Sequence, residues 1–90
     1  AMPVCSIRII GMKETEQVAL HYLENCAQIY TVLAQEVEAR VGDRTMRLRP
    51  YETGRIEKGG PHAVRAVDGP ALVLSLSIPP LEREDQHPAE

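Results

Sequence analysis

Ninety residues with a net charge of −3, 43% hydrophobic and 26% charged side chains describe one small globular domain and exclude a disordered, fibrous or histone-like chain. The aromatic side chains are three tyrosines, so the core must be built from Leu, Ile, Val, Ala and Met. At this size that core is modest, because small domains bury a smaller fraction of their surface than large ones do.

The first segment is Pro3-Val4-Cys5-Ser6-Ile7-Arg8-Ile9-Ile10, in which Cys5, Ile7 and Ile9 alternate with Ser6 and Arg8. That period of two predicts a half-buried strand. This segment has neither a basic start nor a long apolar stretch, and no apolar run reaches the roughly 18 residues of a membrane span, so a cytoplasmic protein is expected. Two cysteines, Cys5 and Cys26, are too few for a disulfide framework.

Beyond Gly11, Thr15 can cap a helix, and apolar residues recur at Leu20, Leu23, Ala27, Tyr30, Ala34, Val37 and Val41, in steps of three and four. Gly42 sits where a left-handed cap would close it. The spacing predicts a helix of about 26 residues and roughly 39 Å, while the opening strand covers only about 23 Å. Unless it breaks near Asn25, this helix overhangs its sheet. A second stripe, Tyr22, Cys26, Ile29 and Leu33, would then lie uncovered and predicts a homodimer with those four residues at the interface.

Residues 45–51 alternate Met46 and Leu48 against Arg47, Arg49 and Tyr51, which predicts a strand with its arginines opposite the core. Residues 52–61 hold three glycines and read as an exposed hairpin loop or arm carrying Arg55 and Lys58. Residues 62–67 form a short strand with Arg65 outward, and Asp68-Gly69-Pro70 is a turn. Ala71–Ile78 is the clearest strand, with Leu72, Leu74, Leu76 and Ile78 expected inward and Val73, Ser75 and Ser77 outward. Pro79 and Pro80 stop it.

The expected fold is therefore α+β, two layers in the order β-α-β-β-β, with one long helix on a mainly antiparallel sheet. Residues 3–80 would form a single compact domain and residues 81–90 a disordered acidic tail.

Charge is unevenly spread. Residues 40–65 hold seven cations and three acids, 7 − 3 = +4, between flanks that are acidic. With Ser6, Ser75 and Ser77 on the open face, Arg8, Arg47, Arg49 and Arg65 would form a basic sheet surface, extended by Tyr51, Arg55 and Lys58. Cations spaced along strands suit phosphates, but a sheet that reads RNA also needs aromatic platforms, and Tyr51 alone supplies one.

Catalytic and metal motifs are missing from the linear order. On a helix His21 and Cys26 would point about 140° apart, so no nucleophile meets a base. There is no Cys-x-x-Cys, no paired His at helical spacing and no calcium loop, so neither metal nor cofactor is expected. The stretch Gly54-Arg55-Ile56-Glu57-Lys58-Gly59-Gly60-Pro61 lacks the Lys-Ser or Lys-Thr of a phosphate loop.

The opening Ile7-Arg8-Ile9-Ile10-Gly11-Met12-Lys13-Glu14, together with Arg49-Pro50-Tyr51 and Arg55, resembles small uncharacterised proteins carried on plasmids and mobile elements of Gram-positive bacteria. That resemblance implies a strand-helix-strands fold and a mobile-element setting, with no activity attached. Together these readings predict a non-enzymatic interaction module, a regulatory or accessory protein that binds another protein. The alternative is a nucleic-acid-binding accessory using the arginine face and basic arm.

Overall fold

A computed structural model describes residues 4–13 and 17–89. Among the described residues there are nine strands and one short 3-10 turn, and no helix long and apolar enough to cross a membrane. The helix cap expected at Thr15 lies outside the described residues.

The expected long helix is replaced by three strands, β2 (Gln17–Tyr22), β3 (Ala27–Ala34) and β4 (Val37–Val41). Steps of three and four visit both faces of a strand, so the helical stripe was an overlay on a period of two. In β3 the inward residues are Gln28, Tyr30 and Val32, and in β4 they are Val37 and Ala39. Ile29, Thr31, Val32, Val37 and Val41 are β-branched and favour extended backbone. The chain breaks at Glu24 and Asn25, and again at Gln35, whose φ is 63°. Gly42, with φ 60°, serves as one half of a two-residue hairpin turn between β4 and β5 (Arg44–Leu48).

The remaining strands are β1 (Ser6–Met12), β6 (Thr53–Ile56), β7 (His62–Ala66), β8 (Ala71–Ile78) and β9 (His87–Pro88). They assemble two sheets, β1-β8-β3-β6 and β5-β4-β7-β2-β9, with antiparallel pairing throughout. The fold is therefore all-β, not α+β. Met12, Val32, Val37, Leu48, Val64, Ala66 and Val73 fill the space between the sheets.

In β8 the faces are reversed from expectation. Ala71, Val73, Ser75 and Ser77 are buried, while Leu72 and Ile78 are exposed and Leu74 and Leu76 half-buried. The serines can turn inward because Gln28 on neighbouring β3 donates to both, at 3.0 Å to Ser77 Oγ and 3.5 Å to Ser75 Oγ. A buried hydroxyl with a partner is tolerated where a bare one is not.

Residues 81–90, expected to be a disordered tail, fold back along the second sheet as far as Ala89. A 3-10 turn at Arg83–Asp85 leads into β9, which pairs with β2 opposite His21 and Tyr22. Asp85 is the reason. Buried at the turn, it accepts the backbone N–H groups of Glu24 and Asn25, both at 2.9 Å, and lies 3.3 Å from His87 Nε2.

Tyr51 is 80% exposed and its φ is 72°, a left-handed conformation that costs a side chain bearing Cβ about 1–2 kcal/mol. Tyr51→Gly is expected to raise the urea midpoint, by about 1 kcal/mol in stability after glycine's extra unfolded-state entropy is deducted.

Candidate functional site

The residues expected to form one basic face are scattered. Arg47 and Arg65 lie on the outer face of the second sheet, each ion-paired to an acid, with Glu36 at 3.1 Å and Glu38 at 2.9 Å. Arg49 and Tyr51 sit in the loop after β5, Arg55 pairs with Glu57 at 2.9 Å, and Lys58 lies in the turn beyond β6. Arg47 and Arg65 keep a common face, but Arg8 and Arg55 belong to the other sheet and Arg49, Tyr51 and Lys58 to loops, so the expected single surface is divided.

The expected dimer stripe is also divided. Cys26 is buried, Tyr22 stacks on His87 with ring centroids 5.1 Å apart, and only Ile29 and Leu33 remain together on the outer side of β3.

Arg8 is different from the other arginines. In the β1–β8 ladder it stands opposite Ser75, and Ser75 stands opposite Tyr30 in the β8–β3 ladder, so all three share the inner face of the first sheet. Among the described residues Arg8 makes no ion pair. One row along, Ser6, Ser77 and Gln28 face the same way. One end of the interior is thus polar while the other, around Val32 and Val73, is apolar.

The second sheet closes this polar end with two imidazoles. His62 begins β7 and His21 lies opposite it on β2, past an irregularity in the ladder after Val18. Their ring centroids are 4.2 Å apart, and Tyr30 meets His62 edge-on at 5.8 Å. Tyr30 donates its hydroxyl to Gln28 Oε1 at 3.2 Å, and Gln28 in turn donates to the serines. The chain of contacts runs from His21 through His62, Tyr30 and Gln28 to Ser75 and Ser77.

The hydrogen bonds fix one proton on each imidazole. A carbonyl can only accept, so the 2.9 Å contact from His62 Nδ1 to Gly60 O and the 2.8 Å contact from His21 Nδ1 to Ala19 O place a proton on Nδ1 in each ring. In the neutral form of His62 the lone pair is therefore on Nε2. That atom is fully buried and has no hydrogen-bond partner. Burial holds the imidazole below its ordinary pKa of 6.5, against the Gly60 carbonyl, which favours the cation, and with His21, which opposes it. Burial likewise pushes Tyr30 up to about 12, against the nearby positive charge of Arg8 and together with Cys26. Around neutral pH the pair is a bare imidazole base beside a protonated phenol.

A cavity of about 290 Å³ is lined by residues of β2 and β9, Leu20, His21, His87 and Pro88 among them. His21 thus lines that cavity and also meets His62.

As metal ligands, the two imidazoles are oriented as metal-binding histidines usually are, with Nδ1–H on a carbonyl. They remain two donors. Among the described residues no third His, Cys, Asp or Glu joins them, short of the three or four protein ligands that zinc takes. The donor set suits proton transfer better. A separate group, Glu24, Asp85 and His87, brings its donor atoms within 4.8 Å, but both Asp85 oxygens already accept backbone N–H groups. It acts as a clamp on the C-terminal segment. Burial raises the Asp85 pKa, and the N–H groups of Glu24 and Asn25 and the contact with His87 outweigh it, leaving a net value below the ordinary 3.8. The clamp is therefore intact above that range and is lost as pH falls through the lowered value. Asp85→Ala is expected to speed amide exchange at His87 and Ala89 while β3 and β8 keep their protection.

Sequence reasoning missed His21, Gln28, Tyr30, Ser75, Ser77 and His62 as a group. Their one local signal was the polar Gln28 alternating with Tyr30 and Val32 on a face otherwise apolar.

Two antiparallel sheets closing around an interior with one polar end define a cupin-like β fold. No protein-family model matches the sequence, and no curated protein does. Solved structures match closely. The protein TT1209 from Thermus thermophilus superposes with a TM-score of 0.83 at 26% identity, over 90% of this chain and 78% of that one. A cupin 2 domain-containing protein from Halorhodospira halophila gives 0.85 at 19%, over 98% and 60%. The DMSP lyase DddQ from Ruegeria pomeroyi gives 0.78 at 28%, over 87% of this chain and 40% of the larger protein.

These findings correct the expectations of relationship and of function. The structural neighbours are cupin-fold proteins, not strand-helix-strands proteins of mobile elements, and they include enzymes, which removes the basis for a non-enzymatic regulatory module.

Proposed function

We propose that this protein is an enzyme that moves a proton on a small carboxylate at the polar end of the barrel. The observation that carries this reading is the buried Nε2 of His62, a lone pair held in one tautomer and left without a partner. Buried polar atoms in native proteins are almost always satisfied, and an exception calls for a ligand or a catalytic role.

In this reading His62 Nε2 removes a proton from the carbon beside the substrate carboxylate. The C–H electron pair passes to the carboxylate as an enediolate or expels a leaving group on the next carbon. Arg8, without an ion pair among the described residues and on the same face as Tyr30, holds the negative charge, and the Tyr30 hydroxyl turns its one proton from Gln28 Oε1 to the developing oxyanion or leaving group. Similarity to a lyase at 28% identity supports the reaction type.

The test is a panel of small 2- and 3-substituted carboxylates incubated with the protein in deuterium oxide and followed by proton NMR. Deuterium entering the position beside the carboxylate, or an elimination product, is expected with wild type and lost with His62→Gln. A panel that shows neither, with the His62 ring resonances unmoved by every compound, would overturn the assignment.

A further inference from the structure

The outer face of the first sheet is apolar along β1 and β8. Its inner face carries Arg8, Gln28, Ser75 and Ser77 beside the core residues Tyr30, Val32 and Val73, while its outer face carries aliphatic side chains, with the Thr31–Thr53 pair and Arg55 toward the β6 edge. Ile7 stands opposite Leu76 and Ile9 opposite Leu74, with Leu72 and Ile78 on the same side further along β8. Ile7 and Ile9 are 60% and 61% exposed, Ile78 47% and Leu72 37%. Single exposed aliphatic residues need no explanation, but a contiguous apolar patch of this kind marks an interface.

From the outer face of this sheet we infer that the protein is a homodimer in which two copies pack these faces together about a two-fold axis. Three features select a second copy as the occupant. The first is area. Strands of seven, eight, eight and four residues, at about 3.4 Å per residue and about 4.8 Å apart, give roughly 440 Å² in plan, and side-chain relief brings this toward the roughly 800 Å² per partner that a stable interface buries.

The second is charge. Arg55, at the far edge on β6, faces Ile29 across the ladder and is already paired with Glu57, so the face meets its own copy without like charges in register. A foreign partner is normally chosen by complementary charge, and this face offers little to read. The third is contrast with the other sheet. Its outer face carries the Arg47–Glu36 and Arg65–Glu38 pairs, the ordinary surface of a solvated sheet.

The homodimer expected from the sequence thus moves to a new surface. Ile29 and Leu33 stay at the interface while Tyr22 and Cys26 leave it. This inference is independent of the chemistry proposed for the polar end.

The experiment is sedimentation equilibrium of the full chain at micromolar concentration, beside Ile7→Lys/Ile9→Lys, whose positions are exposed enough to accept lysine in a folded monomer. Wild type is expected at twice its 10.0 kDa mass, and the double variant at 10.0 kDa with an unchanged circular dichroism spectrum. If the double variant fails to fold, Ile9→Ser serves instead, and its dissociation constant is expected to rise at least about tenfold. A wild-type monomer overturns the inference, and one that sediments with phosphatidylcholine vesicles assigns the face to lipid instead. A folded variant that remains fully dimeric also overturns it.

Discussion

Val73→Asp is expected to leave the chain unfolded at room temperature, while Leu74→Asp, one residue along the same strand, leaves each subunit folded. Val73 is 1% exposed between the two sheets, packed in the core with Val32 and Ala71. An aspartate there finds neither water nor a cation, and burying an unpaired polar or charged group costs several kcal/mol. A 90-residue domain has roughly 5–13 kcal/mol in total. Leu74 lies on the outer face, and its replacement costs the subunit about 1 kcal/mol of strand preference. Its larger effect falls on dimerisation, through a carboxylate placed in an apolar interface. Circular dichroism in urea separates the two. Equal loss of structure in both variants would mean that β8 presents no distinct inner and outer face.

The same pair of residues shows what could be read in the sequence and what could not. Ala71–Ile78 was recognisable as a strand because its alternation is unbroken, and Met46 and Leu48 were assigned to the buried side that they occupy. The parity of β8 was not recoverable from hydrophobicity. Leucine is more apolar than serine, yet Ser75 and Ser77 are inside because Gln28, distant in sequence, bonds them there. Between Gln17 and Val41 the three-and-four spacing pointed to a helix, and pairing with β5, β6, β7 and β8 overrode it. The helix length, well beyond the opening strand it would cover, argues for a dimer unless the helix breaks near Asn25. The chain does break there, at Glu24 and Asn25, and among the described residues no α-helix forms on either side.

The site was illegible for a related reason. His21 and His62 come together only through the β2–β7 ladder, and Tyr30 reaches them from the opposite sheet. No spacing along the chain encodes either contact. Arg8 was singled out for its charge and reaches the polar end, but its companions Arg47 and Arg65 were grouped with it on the assumption of a single sheet. With two sheets, alternation puts Arg8 on an inner face and the other two on an outer one.

His62 is expected to dominate the pH dependence of both stability and turnover. Its folded-state pKa lies below the ordinary 6.5, so the unfolded chain binds a proton more readily than the native one. The stability gained by keeping the imidazole neutral is therefore complete above about 6.5, and it is lost as pH falls from there through the lowered native value. Wild type should show a falling urea midpoint over that interval, and His62→Gln, which has nothing to protonate, should show a flatter one. Asp85 does not mimic this limb, because its lowered pKa confines the loss of its contribution to the region below the ordinary carboxylate value of 3.8. Turnover should follow the same group, since only the neutral imidazole can accept a proton. The acid limb of the rate profile is expected at a midpoint below 6.5, and His62→Gln is expected to lower the rate by about 10²–10⁴. Tyr30→Phe keeps the ring contact with His62 but removes the proton donor and the bond to Gln28, so it should lower the rate while leaving the acid limb of the profile in place. If instead the limb disappears in Tyr30→Phe and survives in His62→Gln, the two roles have been assigned to the wrong residues.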